Sequence, residues 1–120
     1  MAATSTTILS NQTHPGDSST VSVTGEKYQG DAYYSRSDGF HTVQYIVSNF
    51  IGEITVQATL ATAPTTDDWF TLTSTRHLST ATDTTESDGS FLKNFVGNYV
   101  WVRAIATFTD GTINGILLNH

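Results

Sequence analysis

Side chains able to do chemistry are few and scattered in this 120-residue sequence. Asp67-Asp68 stands beside Trp69, and neighbouring carboxylates can bind a hard cation or act as general acid and base. Calcium needs six or more oxygens from a loop such as Asp-x-Asp-x-Asp-Gly, and that spacing does not occur. The pair therefore reads as a solvated turn with Trp69 packed beneath it. Asp83, Glu86 and Asp88 form the densest remaining acidic group, at most a weak cation site. His14, His41, His77 and His120 have neither a second histidine nor a carboxylate at metal-ligand or dyad spacing, so each reads as a structural or surface group. The 22 Thr and 12 Ser supply hydroxyls without an activating base, and no Gly-x-Ser-x-Gly turn presents a nucleophile. The expectation is a protein that is not an enzyme and uses no metal or cofactor.

The aromatic residues are the stronger candidates. Tyr28, Tyr33, Tyr34 and Phe40 cluster in a segment broken by Gly30 and Gly39, and Trp69 and Trp101 add two large rings. Rings exposed on a β fold can stack on sugars; they also fill cores and subunit interfaces, where Tyr and Trp are enriched. The surroundings of Trp69 and Trp101 separate these readings. Rings lining a solvent groove favour a glycan, and rings buried or at subunit contacts favour assembly.

The elements that must position these residues are strands. Thr is β-branched and suits pleated surfaces, while Leu, Glu and Lys are scarce and no window holds three turns of helical periodicity. At most one helical turn starts at Thr66, Asp67 or Asp68. Val43, Tyr45 and Val47 alternate with polar residues, as do Ile54, Val56, Ala58 and Leu60, and Asn49-Phe50-Ile51-Gly52-Glu53 joins the two runs tightly. Tyr99 to Thr109 carries bulk on both faces, which predicts a central strand. Asp110-Gly111 predicts a primed turn, with Thr112 to Leu118 pairing back as a hairpin and a bulge at Asn114-Gly115. Asn49-Phe50-Ile51-Gly52 is echoed by Asn94-Phe95-Val96-Gly97, two corners where a Phe enters the core ahead of a Gly. Ser79 to Gly89 reads as an exposed loop or a weakly held edge.

Net charge −6, with five Lys plus Arg against eleven Asp plus Glu, argues against nucleic acid and anionic membranes as partners. Zero cysteines exclude disulfides and thiolate zinc sites. No basic start and apolar middle of a signal peptide occurs at residues 1–10, so the Asn11-Gln12-Thr13 sequon carries no weight. Residues 1–20 hold few large apolar side chains beyond Ile8 and Leu9, and His14-Pro15-Gly16 is a turn signal. They read as an N-terminal arm or leader that uses Ile8 and Leu9 in assembly, ahead of a single domain over residues 21–120; a disordered tail or an N-terminal strand of the chain's own sheet is the alternative.

Two blocks, Asn94-Phe95-Val96-Gly97-Asn98-Tyr99-Val100-Trp101-Val102-Arg103-Ala104 with Phe108-Thr109-Asp110-Gly111-Thr112-Ile113, and Ile54 to Thr62 with Pro64 and Asp68-Trp69-Phe70, resemble small virion structural proteins of tailed phages, especially marine T4-like cyanophages. The resemblance covers about residues 40–118 and brings no catalytic residues. It implies a virion protein that binds other virion proteins as a capsid decoration, neck, tail or fibre-associated subunit. The fold expected is an all-β antiparallel sandwich, jelly-roll-like, of about eight strands. A homo-oligomer in the virion is the expected state, and a carbohydrate-binding module using exposed Tyr and Trp is the alternative.

Overall fold

A computed structural model describes residues 6–17, 19–29, 40–84, 87–97 and 99–119. The chain is all-β, and among the described residues its elements are β1 (Thr6–Leu9), β2 (Gln12–Thr13), β3 (Val21–Thr24), β4 (Tyr28–Gln29), β5 (Phe40–Thr59), β6 (Phe70–Ser79), β7 (Gly89–Val96) and β8 (Trp101–Asn119), with a 3-10 turn at Thr66–Asp68. All eight strands belong to one antiparallel sheet. Two long strands, β5 and β8, form its middle and pair from Thr42 opposite Asn119 to Thr59 opposite Trp101. On the far side of β8 lie β1, β2, β3 and β4 in turn, from Thr6 opposite Leu118 to Gln29 opposite Trp101. On the far side of β5, β7 pairs with its first half and β6 with its second.

Both long strands bend midway. Between the pairs Ser48–Thr112 and Ile51–Asp110, two residues of β5 face one of β8, and Thr109 is then the extra residue before Gly52 meets Phe108. Extra residues of this kind bend a strand and increase its twist. Asn49 takes a φ of 51° and Gly111 a φ of 90° at the same corner. The apolar faces of the two halves of the sheet then meet. The Tyr45 hydroxyl, on the first half, donates to the Thr75 carbonyl of β6 at 2.8 Å. Phe50 packs on Phe108 at 5.7 Å between ring centroids, and His77 of β6 on Phe91 of β7 at 4.8 Å.

The core follows from the alternation of apolar residues. Val43, Tyr45 and Val47, then Ile54, Val56 and Ala58, and on β8 Val102, Ala104, Ala106 and Phe108 are all buried. Beyond the corner the inward positions of β8 become Ile113, Ile116 and Leu118, because Asn114 is a bulge that Ile46–Gly115 and Val47–Ile113 pairing leaves unmatched. Phe50 and Phe95, the repeated Phe residues, are both buried. β6 is different: its buried side chains are Thr75, His77 and Ser79, with Leu72 partly buried against the core. Its pairing jumps from Ile54–His77 to Val56–Leu72, so the chain swings out between them. Thr75 fills the gap, its Oγ1 accepting the Val56 N–H at 2.8 Å and donating to the Leu72 carbonyl at 2.6 Å.

Three expectations are corrected. Asp110-Gly111 does not reverse the chain: β8 runs through it, and both its halves pair with β5 rather than with each other. The positive φ of Gly111 serves the corner, and a Cβ there would overlap the Asn49 carbonyl and lie 2.6 Å from the Phe50 Cα. The arm expected over residues 1–20 is, from Thr6 to Thr13, part of the sheet edge. Ile8 and Leu9 are 1% and 7% exposed and sit in the core, so they are not available to a neighbouring subunit. β5 stops at Thr59 and leaves Leu60 exposed at 64%.

Between β2 and β3 the chain detours and is pinned by His14. Its N–H bonds the Gly111 carbonyl, Gly16 N–H donates to Nδ1 at 3.0 Å, and Nε2 bonds the Ser19 carbonyl at 2.8 Å. That arrangement fits the neutral tautomer protonated on Nε2. Asp17 accepts bonds from the Ser19 N–H and hydroxyl, which hold its carboxyl below the ordinary aspartate value.

Candidate functional site

The residues singled out from the sequence separate into three groups. Tyr33, Tyr34, Glu86 and His120 lie outside the described residues. Tyr28 is half-buried and packs against the core; it pairs with Val102, an inward residue, so it faces away from Trp101, whose partner is Gln29. Trp69 and Trp101 remain, both half-buried at the outer surface of the sheet half built by β3, β4, β6 and the parts of β5 and β8 that pair with them.

The chain from Leu60 to Trp69 crosses the end of that half. It is tied at Thr59, whose carbonyl accepts the Val100 N–H and whose Oγ1 accepts the Ala61 N–H. The Trp101 Nε1–H donates to the Thr62 carbonyl at 3.1 Å. Pro64 keeps the segment out of the ladder, and the 3-10 turn follows. The Asp68 carboxylate accepts from the Thr65 N–H at 2.7 Å and from its hydroxyl at 3.1 Å, a capping arrangement that uses this carboxylate inside the turn. The turn delivers Trp69 beside Arg103, whose guanidinium carbon stands 4.3 Å from the ring centroid.

Arg103 projects outward from β8 next to Trp101, and its Nε donates to Gln57 Oε1 on the neighbouring strand at 2.9 Å. Partial burial lowers its pKa from the ordinary arginine value, though an arginine stays charged. Lys27 lies over Trp101, its Nζ 5.0 Å from the ring centroid. Each tryptophan therefore carries a cation, an attraction of the ring's negative face for positive charge. Gly25, Lys27, Pro64, Thr66, Trp69 and Arg103 border a surface depression of about 360 Å³. A second, of about 460 Å³, is bordered by Glu26, Lys27 and Trp101, so Lys27 is common to both. Lys27, Gln57 and Arg103 escaped the sequence reading. The one signal for Arg103 was its place on the outward face of the strand that also carries Trp101.

The other groups considered for chemistry are used in the fold. His14, His41 and His77 are buried, His41 stacked on Phe95 at 4.6 Å and His77 among Tyr45, Phe50 and Phe91. Asp88 accepts the Asn49 N–H at the corner. Among the described residues no three His, Asp or Glu side chains gather where a metal ion could be held.

The outer surface of the other half, formed by β1, β7 and the adjoining parts of β5 and β8, has a different chemistry. Pairing places Thr42 with Asn94 and Asn119, Gln44 with Leu92 and Leu117, and Ile46 with Ser90. None of these side chains is charged. Leu92 and Val96 are exposed at 65% and 64%, and Leu92 and Leu117 border a depression of about 150 Å³ with Thr42 and Gln44.

Compared with known proteins, the chain matches no family model, no curated protein and no solved structure.

Proposed function

We propose that the chain is a structural subunit of a phage particle, a jelly-roll-like β-sandwich that associates with copies of itself and with other virion proteins through surface contacts rather than chemistry. Support for the architecture comes from strand order. When β5 and β8 are each counted as two strands divided at the corner, with β1 and β2 taken as the first strand and β3 and β4 as the second, the halves read 1-8-3-6 and 2-7-4-5. That order is compatible with a jelly roll, an architecture found in viral capsid and lectin domains.

The observation that carries the assembly reading is the uncharged outer face around Leu92, Val96 and Leu117. In a chain of net charge −6, like copies repel, and the neutral face is where they can approach. Two aliphatic side chains exposed by nearly two thirds on one strand add a hydrophobic gain on contact. Lys93 on the same strand is the kind of charge that discourages indiscriminate edge pairing, so the contact is assigned to the face and not to the open edge of β7.

Sedimentation of the full chain and of the double variant Leu92→Lys, Val96→Lys tests this. The expected result is an oligomer for the parent and a folded monomer for the variant, which also fails to enter particles. A parent that is monomeric and absent from particles refutes the proposal, as does a variant that assembles normally.

A further inference from the structure

We propose that the bent corner of one copy, which carries Asp88 and Asp110, docks on Arg103 and Lys27 of a second copy, a head-to-tail contact between regions of unlike charge. It uses neither Leu92 nor Val96 and goes beyond the association assigned to the neutral face.

The basic side of the contact is a pair of cations without acids. Lys27 precedes Tyr28, the partner of Val102, and so lies beside Arg103; both border the depression of about 360 Å³. The acids nearest to them in the chain, Glu26, Asp67 and Asp68, do not line it. Among the described residues neither cation has a carboxylate within ion-pair distance, whereas Arg76 is paired with Glu53 at 2.9 Å. Burial lowers the Arg103 pKa, and no carboxylate raises it. Arg103 rests on the Trp69 ring and donates through Nε to Gln57, which leaves its two terminal nitrogens as a fork of the shape a carboxylate accepts. The rings hold both cations in place, and the contact needs the nitrogens that face away from them.

The acidic side is the corner. Asp88 and Asp110 are exposed there, and both are anchored at Asn49. Asp88 Oδ1 accepts the Asn49 N–H at 2.9 Å; Asp110 Oδ1 accepts the Gly111 N–H at 2.8 Å, and Gly111 lies against the Asn49 carbonyl. Each carboxylate is positioned by a backbone N–H and keeps its second oxygen for another donor. Neither has a cation within ion-pair distance among the described residues.

Arg103 and Asp110 stand seven residues apart on β8, about 20 Å at a strand's rise of about 3.3 Å per residue. They cannot meet within one copy, so the acids are matched by bases only across two. At physiological salt charges act over about 8 Å, so local complementarity outweighs the net charge of −6 once the surfaces touch. Exposed ion pairs contribute little when long side chains must first be ordered, and here Arg103 and both carboxylates are already held. The two sides of the contact are different surfaces, so it is heterologous and propagates into a ring or a filament.

The test is made in the full chain carrying Leu92→Gln and Val96→Gln, which removes the apolar contact without adding charge. Sedimentation at low ionic strength should show self-association that is lost as salt is raised. Lys27→Glu, on an exposed segment, and Asp110→Arg should each weaken it at least about tenfold, with circular dichroism unchanged. An equimolar mixture of those two variants should restore it, because the intact corner of one meets the intact basic pair of the other. Carbodiimide coupling should join Lys27 to Asp88 or Asp110 in a covalent dimer. The proposal is overturned if there is no association at low ionic strength, if association is indifferent to salt, if neither charge variant weakens it, or if mixing does not restore it. A change of tryptophan fluorescence with hexaglutamate in a chain that does not self-associate would assign the basic pair to a foreign acidic segment and overturn the proposal equally. The low-salt contact with a parent that is monomeric at physiological salt would uphold this contact and remove only the one at the neutral face.

Discussion

Replacing Ile8 by alanine measures whether Thr6–Leu9 is a leader or an integral part of the sheet. Ile8 is 1% exposed and belongs to the same core cluster as Val43, Phe108 and Leu118. Truncating a buried isoleucine removes its transfer free energy and leaves a cavity, together about 2–5 kcal/mol. A site on an edge strand can collapse more easily than one at the centre, so about 3 kcal/mol is expected. For a domain of this size each kcal/mol moves the melting temperature by roughly 4 °C, and the variant should melt roughly 12 °C lower. Thr7→Ala is the control: Thr7 is exposed on the outer face, and its loss should cost no more than about 0.5 kcal/mol. Urea unfolding followed by circular dichroism should give the same difference in free energy with an unchanged slope. An Ile8→Ala protein melting within about 2 °C of the parent would refute the placement of β1 in the core and restore the arm.

Thr75→Val should cost about 2–3 kcal/mol, because the Val56 N–H and the Leu72 carbonyl both lose a buried partner, whereas Thr75→Ser should keep most of the stability; chemical denaturation of the three proteins checks this. Gly16→Ala and Gly111→Ala share a conformational cost of about 1–2 kcal/mol for a positive φ, but Gly16 has open space where a Cβ would go and Gly111 has the Asn49 carbonyl. Gly111→Ala should therefore be clearly the less stable of the two in melting experiments, and equal losses would mean the corner is looser than described. Asp17 has a lowered carboxyl pKa, so its bonds to Ser19 stabilise the loop above the ordinary aspartate range and are lost as the pH falls through the folded value. A carboxyl titration by nuclear magnetic resonance should place Asp17 below the ordinary value of 3.8, and Ser19→Ala should move it up.

The all-β class and most of the core were legible because apolar alternation at Val43 to Val47, Ile54 to Ala58 and Val102 to Phe108 has a period of two on a half-buried strand. β6 was not legible, since its buried side chains are Thr75, His77 and Ser79 and its Thr75 replaces a missing ladder bond. The corner was misread for a related reason. Asp110-Gly111 signals a positive φ, and a positive φ serves a reversal or a bend equally well. What decides between them is the Asn49 backbone lying opposite, sixty residues away in sequence. Ile8 and Leu9 looked insufficient for a strand because the partners of β1, from Leu118 to Ile116, come from the other end of the described chain. At the candidate site the tryptophans were visible by type. Lys27 and Gln57 were not, since each acquires its role only through pairing with β8 or packing on Trp101.

The central position of β8 also governs the order in which the molecule can be completed during synthesis. β1 to β4 are paired to β8 and not to one another, and β5 receives its long partner only from β8. A ribosome delivers β8 after every other described strand. Until then, among the described strands, β5 has β6 and β7, and β1 to β4 have no template. Contacts that join residues near 6 to residues near 118 make the topology strongly non-local, which slows folding. The unpaired edges stay exposed for the whole interval, when they are open to aggregation. Ribosome-arrested chains that end before Trp101 should therefore remain protease-sensitive throughout.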